Sequence, residues 1–354
     1  MNLLDRYIGR AVVSGTFIAL LVLLAIQAFF SLMSELGSVG TGHYGLAQAF
    51  EYVILTLPRT AYDLFPTSAL VGSLFGLGQL AANSELVAVR AAGVSVGRIA
   101  RSVLQVGLVM LIAASAMGEW VAAPAEQYAL QMQALAQSNR ITFKGRFGFW
   151  ARDQDRFINI GQILPGGILA DIHVYQFDDE HRLKLATEAK RAMYHNGDWL
   201  LENVRQSRVS ADGVHVRHLH KLTWKTLISP GLLRLVMVRP QSLSARELRR
   251  YIDYLNSNGL NAGRYRLAFW MRIAAPLSGM VMLFLSIPFV FGPLRSAAMG
   301  QRLVVGVLVG VGYYLFSQMV SHLGLVYGFN AALSALTPPV VFFIGGMAVL
   351  RRVR

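Results

Sequence analysis

The sequence predicts an α-helical polytopic membrane protein with six transmembrane helices and one β-rich domain inserted between the third and the fourth. Three observations predict it: long runs without a formal charge, arginines gathered in alternate loops, and one central segment where charge and strand-like alternation return together. With 54% hydrophobic and 15% charged residues, the chain lies far from the roughly one-quarter charged composition of a soluble domain.

Charge-free runs occupy 11–34, 64–84, 102–118, 273–294 and 303–350, and a helix needs roughly 20 apolar residues to cross a bilayer core. The last run, 48 residues long, has room for two helices, with a polar, glycine-rich break around Ser321, His322, Gly324 and Gly328 to return the chain. The first run is expected to stay as a helix. Its 24 residues exceed the apolar core of a signal peptide, and no small-residue cleavage pattern precedes Glu35. The fourth helix is expected to start between Arg264 and Trp270 and to bend at Pro276 and Pro288.

The net charge of +14 raises nucleic-acid binding, but its distribution points elsewhere. Arg6 and Arg10 precede the first helix, Arg90, Arg98 and Arg101 lie between the second and third, Arg295 and Arg302 lie between the fourth and fifth, and Arg351, Arg352 and Arg354 end the chain. Cytoplasmic loops carry the excess of Lys and Arg, so these alternate loops and both termini are expected inside. The opposite loops, 35–50 and 322–332, contain neither residue. No basic-aromatic reader motif stands out, so nucleic acid is not an expected partner. The absence of cysteine rules out disulfides and Cys-ligated metal.

From about Arg140 to Pro240 the texture changes, for all five lysines of the protein and six of its eight histidines fall there. Alternation of strand period appears at 146–151, 172–177 and 214–220, with hairpin signals at Asn196-Gly197 and Asp212-Gly213. Short strands at near-regular spacing predict a sandwich or jelly roll, and the topology puts it on the non-cytoplasmic face, a domain of this size being translocated despite its basic residues. His215, His218 and His220 could suggest metal, yet 215 faces away from the other two on a strand and no carboxylate completes a set, so a solvated strand face is the better reading. After this domain, Ser244-Ala245-Arg246-Glu247 has the capping-box pattern and Leu248, Ile252 and Leu255 recur at helical spacing, with Tyr251 and Tyr254 placed for an interface and Asn258-Gly259 as the stop.

Three further segments bear on function. In 83–95, Asn83 or Ser84 can cap a helix whose first turn holds Glu85, and Gly93 can end it about two turns later. Leu86 and Val89 then share a face. The result is either an element shaped for a partner's groove or an ordinary capped turn at the interface. In the second helix, Arg59 and Asp63 lie four residues apart beside Pro58 and Pro66, which allows an ion pair on one helix face. They either serve a substrate or snorkel at the outer interface. In the fifth helix, Gly306, Gly310 and Gly312 form a small-residue seam that permits close approach of another helix, in a neighbouring subunit or in a seam that opens. No P-loop, nucleophile elbow or His-Glu-x-x-His sequence is present. If the protein moves something with energy, another subunit supplies the chemistry.

Several segments together resemble a known family. They are Leu4-Asp5-Arg6-Tyr7-Ile8-Gly9, Ser84-Glu85-Leu86-Val87, Gly118-Glu119-Trp120-Val121-Ala122, Ala262-Gly263-Arg264-Tyr265 and Phe291-Gly292-Pro293-Leu294-Arg295-Ser296. The chain is similar over nearly its whole length to the LptF/LptG permeases of the lipopolysaccharide-export ABC transporter. That resemblance implies an inner-membrane protein of six transmembrane helices with a periplasmic β-jellyroll. It implies a pseudosymmetric pair with an LptF permease, a dimer of the ATPase LptB, contact with LptC, and transfer of lipopolysaccharide toward the periplasmic bridge LptA. It also implies that the short cytoplasmic helix is the coupling helix, that Glu85 matches an acidic residue docking on the ATPase, and that Arg59 matches a basic residue facing the lipid's phosphates, a role suited to a guanidinium. The chain departs from familiar relatives after the first helix, where Glu35, Gly37 and Ser38 stand in place of a basic cluster and no Lys or Arg precedes Arg59.

The expected plan is therefore 1–122 for the first three helices with a coupling helix near 84–93, 123–265 for the periplasmic region with a β core near 140–240, and 266–354 for the last three helices. Glu85, Leu86, Val89 and Arg90 are expected to receive force from the ATPase. Arg59 is expected at the anionic headgroup, and Phe30, Phe65, Phe316 and Met319 on the wall of a cavity between the first, second and fifth helices. No cofactor, metal or catalytic residue is expected. The competing expectation is an ATPase-coupled mechanotransmission or assembly scaffold that moves no lipid through its helices. An intramembrane enzyme stands further off, because Ser, His and Asp form no recognisable arrangement.

Overall fold

The computed structural model describes residues 3–137, 149–153, 156–164, 168–178, 180, 182–195, 198–210, 212–224, 240–292 and 298–352. The expected layout is present: six helices are long and apolar enough to cross a membrane, and an antiparallel sheet lies between the third and fourth. The spans are α1 (Leu3–Leu36), α2 (Leu46–Ala82), α4 (Val96–Met117) prolonged by a π segment (Gly118–Ala122) and α5 (Ala123–Gln137), α7 (Gly263–Phe291), α8 (Met299–Val326) and α9 (Ala331–Arg352). A short helix α3 (Glu85–Ala91) follows α2, and α6 (Ala245–Ser257) precedes α7. Pro276 and Pro288 lie inside α7 as expected.

Burial sorts the bundle into a centre and flanks. In the most apolar window of α2, 72% of residues are buried, and in α7 67%, against 6% in α1 and 17% in α8. Leu70, Leu74 and Leu77 of α2 meet Met282, Leu283 and Ile287 of α7, with Ile8 and Val12 of α1 and Ile99 and Val103 of α4 completing the core. The seam holding α1 is a backbone contact. A Cβ on Gly72 would lie 2.2 Å from Thr16 Cα, and one on Gly76 would lie 2.2 Å from the Ala11 carbonyl oxygen. Small residues let helices approach this closely where lipid supplies no hydrophobic drive between them. The Gly306 and Gly310 seam of α8 is spent in the same way within the chain, on Leu74, Val71 and Thr67 of α2, while Gly312 faces open space.

The return between α8 and α9 falls in the later part of the expected break. Ser321, His322 and Gly324 stay helical, and the turn is made at 327–330 with Gly328 at φ +68°. Gly324 is used for packing instead, since a Cβ there would meet the Ser334 side chain of α9.

The inserted domain is a six-stranded antiparallel sheet in sequential order β1 to β6: Phe149–Asp153, Arg156–Leu164, Ile168–Phe177, Leu183–His195, Asp198–Ser210 and Gly213–Trp224. Residues 146–148 of the first expected strand and the Asn196-Gly197 turn lie outside the described residues, while His195 pairs with Asp198 and Ser210 with Gly213 across the two expected hairpins. Among the described residues the strands form one meander, and the crossover connection of a two-sheet sandwich is not among them. The apolar face has a break in period. Ile172, Ala189 and Val204 form one cross-strand row and Leu169, Ala192 and Leu201 another, three residues away in each strand, yet all six belong to one core. Strand faces alternate every second residue, so a spacing of three should reverse them. Between the rows Asp171 and Asn203 take φ +54° and +52°, and this local departure from extended backbone, which leaves the pairing register unshifted, returns the next residues to the same face.

Candidate functional site

Two polar clusters stand at opposite ends of the bundle. At the end carrying the termini, α3 projects from the last turn of α2. Its end has the expected glycine: Gly93 sits at φ +88°, the Gly93 amide donates to Arg90 O at 3.0 Å and the Val94 amide to Val89 O at 3.3 Å, which completes a Schellman closure. Its start differs. Ser84 adopts φ 60° and its hydroxyl makes no cap, while Asn83 Nδ2 donates to Glu85 Oε1 at 3.2 Å. Leu86 is 3% exposed and packs in the bundle core with Val89 beside it, so these two anchor α3 to its own chain rather than facing outward. The free side of α3 is formed by Val87, Ala88, Arg90 and Ala91, with Glu85 half-buried at its start.

Glu85 is also tied to α1, because the Tyr7 hydroxyl donates to Glu85 Oε2 at 2.5 Å. Two residues before Tyr7, Asp5 is buried, accepting from Ser102 Oγ at 2.5 Å and pairing with Arg98 Nη2 at 3.4 Å, which fastens α1 to α4. The buried Arg302 of α8 donates to the Gly78 carbonyl in the last turns of α2. Thus α1 and α8, the two least covered spans, are each joined by polar contacts to the segment that bears α3. Sequence reading missed Asp5, Tyr7 and Arg302 as contacts, since a pairing across the fold leaves no local spacing.

At the β-domain end, Arg59 Nε donates to Asp63 Oδ2 at 3.0 Å, the i,i+4 pair that the spacing allowed, and lies 3.9 Å from Glu126 Oε2 of α5. Tyr62 lies near two cations, with Arg59 5.6 Å and Arg272 5.8 Å from its ring centre. The π segment places Gly118 so close to the Tyr62 ring that a Cβ would lie 2.6 Å from it. Arg272 Nη2 donates to the carbonyls of Gln241 and Leu243 at 2.8 and 2.7 Å, and Glu119 accepts from the Ala245 amide at 2.8 Å at the start of α6. The chain returning from the sheet is therefore lashed to α4, α5 and α7. Arg59 Nη1 is buried without a hydrogen-bond partner among the described residues, so one guanidinium edge is unspent.

The last turn of α1, at the stretch where relatives were expected to carry a basic cluster, is a carboxylate site. Glu35 Oε2 accepts from the Tyr44 hydroxyl at 2.9 Å and from Gln133 Nε2 at 2.7 Å. Burial, and then the Glu35 carboxylate it faces, push the Tyr44 phenol well above its ordinary value, so it remains a donor throughout the physiological range. This contact joins α1, the α1–α2 turn and α5.

The four expected apolar wall residues separate into two groups. Phe30 of α1 and Met319 of α8 are 62% and 54% exposed and stand on free faces. Phe65 is buried against Gly279 of α7 and offers no wall. Phe316 is half-buried and meets the Phe342 ring of α9 at 6.3 Å. A helix spacing alone cannot tell which turn faces the bundle centre, and α2 is buried nearly all round.

In the sheet, His218 and His220 line an open cleft with His173, Glu188 and Arg205, while His215 stands opposite Arg208. Among the described residues no group of three His, Asp or Glu is placed to hold a metal ion.

Six spans, a sheet domain inserted midway and a helix projecting from the α2–α4 connection define a multi-pass membrane protein built on the plan of a transport permease. The profile of the family described as "Lipopolysaccharide export system permease LptF/LptG" matches residues 6–352, and the chain belongs to that family. It is 34% identical over 346 residues to the lipopolysaccharide export system permease protein LptG of Haemophilus influenzae, covering 97% of each chain. It is likewise 34% identical over 354 residues to the protein of that name from Escherichia coli K12, covering 99% of this chain and 98% of the relative.

Proposed function

We propose that this chain is the non-catalytic permease subunit of an ABC transporter that extracts lipopolysaccharide from the inner membrane and passes it to a periplasmic bridge. Its partners are an LptF permease, an LptB ATPase dimer and LptC, with LptA receiving the lipid. The termini and α3 lie in the cytoplasm and the sheet in the periplasm. The family membership over residues 6–352 carries this reading, and the geometry of α3 supports it. The helix is anchored by Leu86 and Val89, presents Arg90 outward, and has Glu85 hydrogen-bonded to the otherwise loosely covered α1.

In this reading the ATPase stroke enters at α3 and reaches α1 through Tyr7 and Asp5 and α8 through Arg302. Phe30 and Met319 line the lipid space on the exposed faces of α1 and α8, and Arg59, whose side chain is partly exposed beside Asp63 and Glu126, supplies the cation for a headgroup phosphate. The test is reconstitution of the assembled complex in proteoliposomes with a photocrosslinker at position 30 or 319. ATP-dependent loss of lipopolysaccharide crosslinks, with matching gain on LptA, is expected. An assembled, ATP-hydrolysing complex that gives no crosslink at either position would return the scaffold reading.

A further inference from the structure

The strongest charged surface that the transport reading leaves unused is the outward face of α6. Its apolar residues Leu248, Tyr251 and Leu255 are buried against the start of α7 and Tyr254 reaches the sheet core, while Arg246, Arg249, Arg250 and Asp253 occupy the opposite, exposed face. Arg264 and Arg266 in the first turn of α7 are exposed beside it. Among the described residues no side chain pairs with Arg246, Arg249, Arg250 or Arg264, whereas Arg266 donates to Asn256 Oδ1 at 2.6 Å. Of the two acidic residues here, Glu247 is consumed in the Ser244 capping box.

Depth in the bilayer follows from α7. Arg272 is the last charged residue before the run 273–294, and it holds Gln241 and Leu243, two to four residues ahead of α6. That fixes the start of α6 to the level at which the span enters the membrane. Five arginines within 246–266 on the proposed outer side run against the usual bias of basic flanks to the inside, so this placement needs a compensating anion. The residue type narrows its chemistry. Every lysine of the chain falls in 144–225, within the inserted domain, and this stretch uses arginine alone, whose planar fork binds phosphate oxygens in pairs.

We propose that α6 is an interfacial helix whose arginine face binds the phosphate headgroups of anionic phospholipids in the adjacent outer leaflet, fixing the height of the β domain above the membrane. An acidic protein surface is the alternative occupant. It is disfavoured because α6 is pinned at headgroup depth at its start and at the foot of α7.

The chain has no cysteine, so Asp253→Cys gives a single nitroxide position on the full-length protein within its native complex. In nanodiscs of phosphatidylcholine with phosphatidylglycerol, the nitroxide is expected to broaden lipid phosphorus resonances, more than in phosphatidylcholine alone. Retention of phosphatidylglycerol over phosphatidylcholine, read by native mass spectrometry, should fall by roughly fivefold per arginine neutralised in Arg246→Gln, Arg249→Gln and Arg250→Gln. Lys184→Gln with Lys190→Gln, which removes cations from the sheet instead, should leave it unchanged. Broadening that is indifferent to phosphatidylglycerol would overturn phosphate recognition, and a response seen only with added lipopolysaccharide would give the arginines to the cargo instead. Unaltered lipid retention with loss of a protein subunit in the triple variant would make the face a protein interface and sink the proposal.

Discussion

Asp5 and Glu85 are carboxylates at the same end of the bundle, used in opposite ways. Asp5 is buried and holds Ser102 and Arg98, so Asp5→Ala should lower stability by about 1–3 kcal/mol by stranding those donors. A reduced thermal midpoint in detergent would show it. Glu85 is at the surface of a projecting helix, and Glu85→Ala is expected to leave the complex at least partly assembled while uncoupling lipid export from ATP hydrolysis. Normal export and normal lipid-stimulated ATPase activity in that variant would exclude the coupling role. For Arg59 the pairing with Asp63 leaves one edge free, and Arg59→Ala should weaken lipopolysaccharide photocrosslinking in an assembled complex. An unchanged yield would leave Arg59 a structural partner of Tyr62 and Asp63 alone.

At the scale of elements, the close seams decide which helices move together. Gly76 lies on α1 with no space for a side chain, so Gly76→Val should force α1 off α2 and cost about 1–3 kcal/mol or more by overpacking. Disulfide crosslinking between cysteines introduced at the α1–α2 contact would report the separation. Gly93 closes α3 at φ +88° with open space around it. There Gly93→Ala meets only backbone strain of about 1–2 kcal/mol, and hydrogen exchange confined to α3 would detect it. Much of this level was legible in advance. The capping box of Ser244 and Glu247, the Gly93 stop and the strands around 172–177 and 214–220 follow from local chemistry. The failure of Ser84 as a side-chain cap was not legible, because its backbone angle is set by the exit from α2. Nor was the continuation of α8 through Ser321 and His322, since a few polar residues do not end a helix whose backbone bonds are otherwise satisfied within the membrane.

For the whole molecule, α2 and α7 form the centre and α1 and α8 the flanks, and the proposed lipid space lies against those flanks. The proposed orientation predicts that a cysteine replacing Arg352 reacts with a permeant reagent only, whereas one replacing Val214 in the sheet reacts with an impermeant reagent in the periplasm. The reverse pattern would invert the topology. The sequence by itself determined the number of spans, the place of the inserted domain and the family, because hydropathy, arginine bias and capping act over a few neighbouring residues. Only the tertiary structure decided that Phe65 is buried while Phe30 and Met319 are free, that Glu35 belongs to Tyr44 and Gln133, and that Tyr7, Asp5 and Arg302 join the outer helices to the α3 segment. These depend on which faces of distant helices meet, and that choice is made by backbone contacts at Gly15, Gly72 and Gly76 and by the packing of α2 on α7.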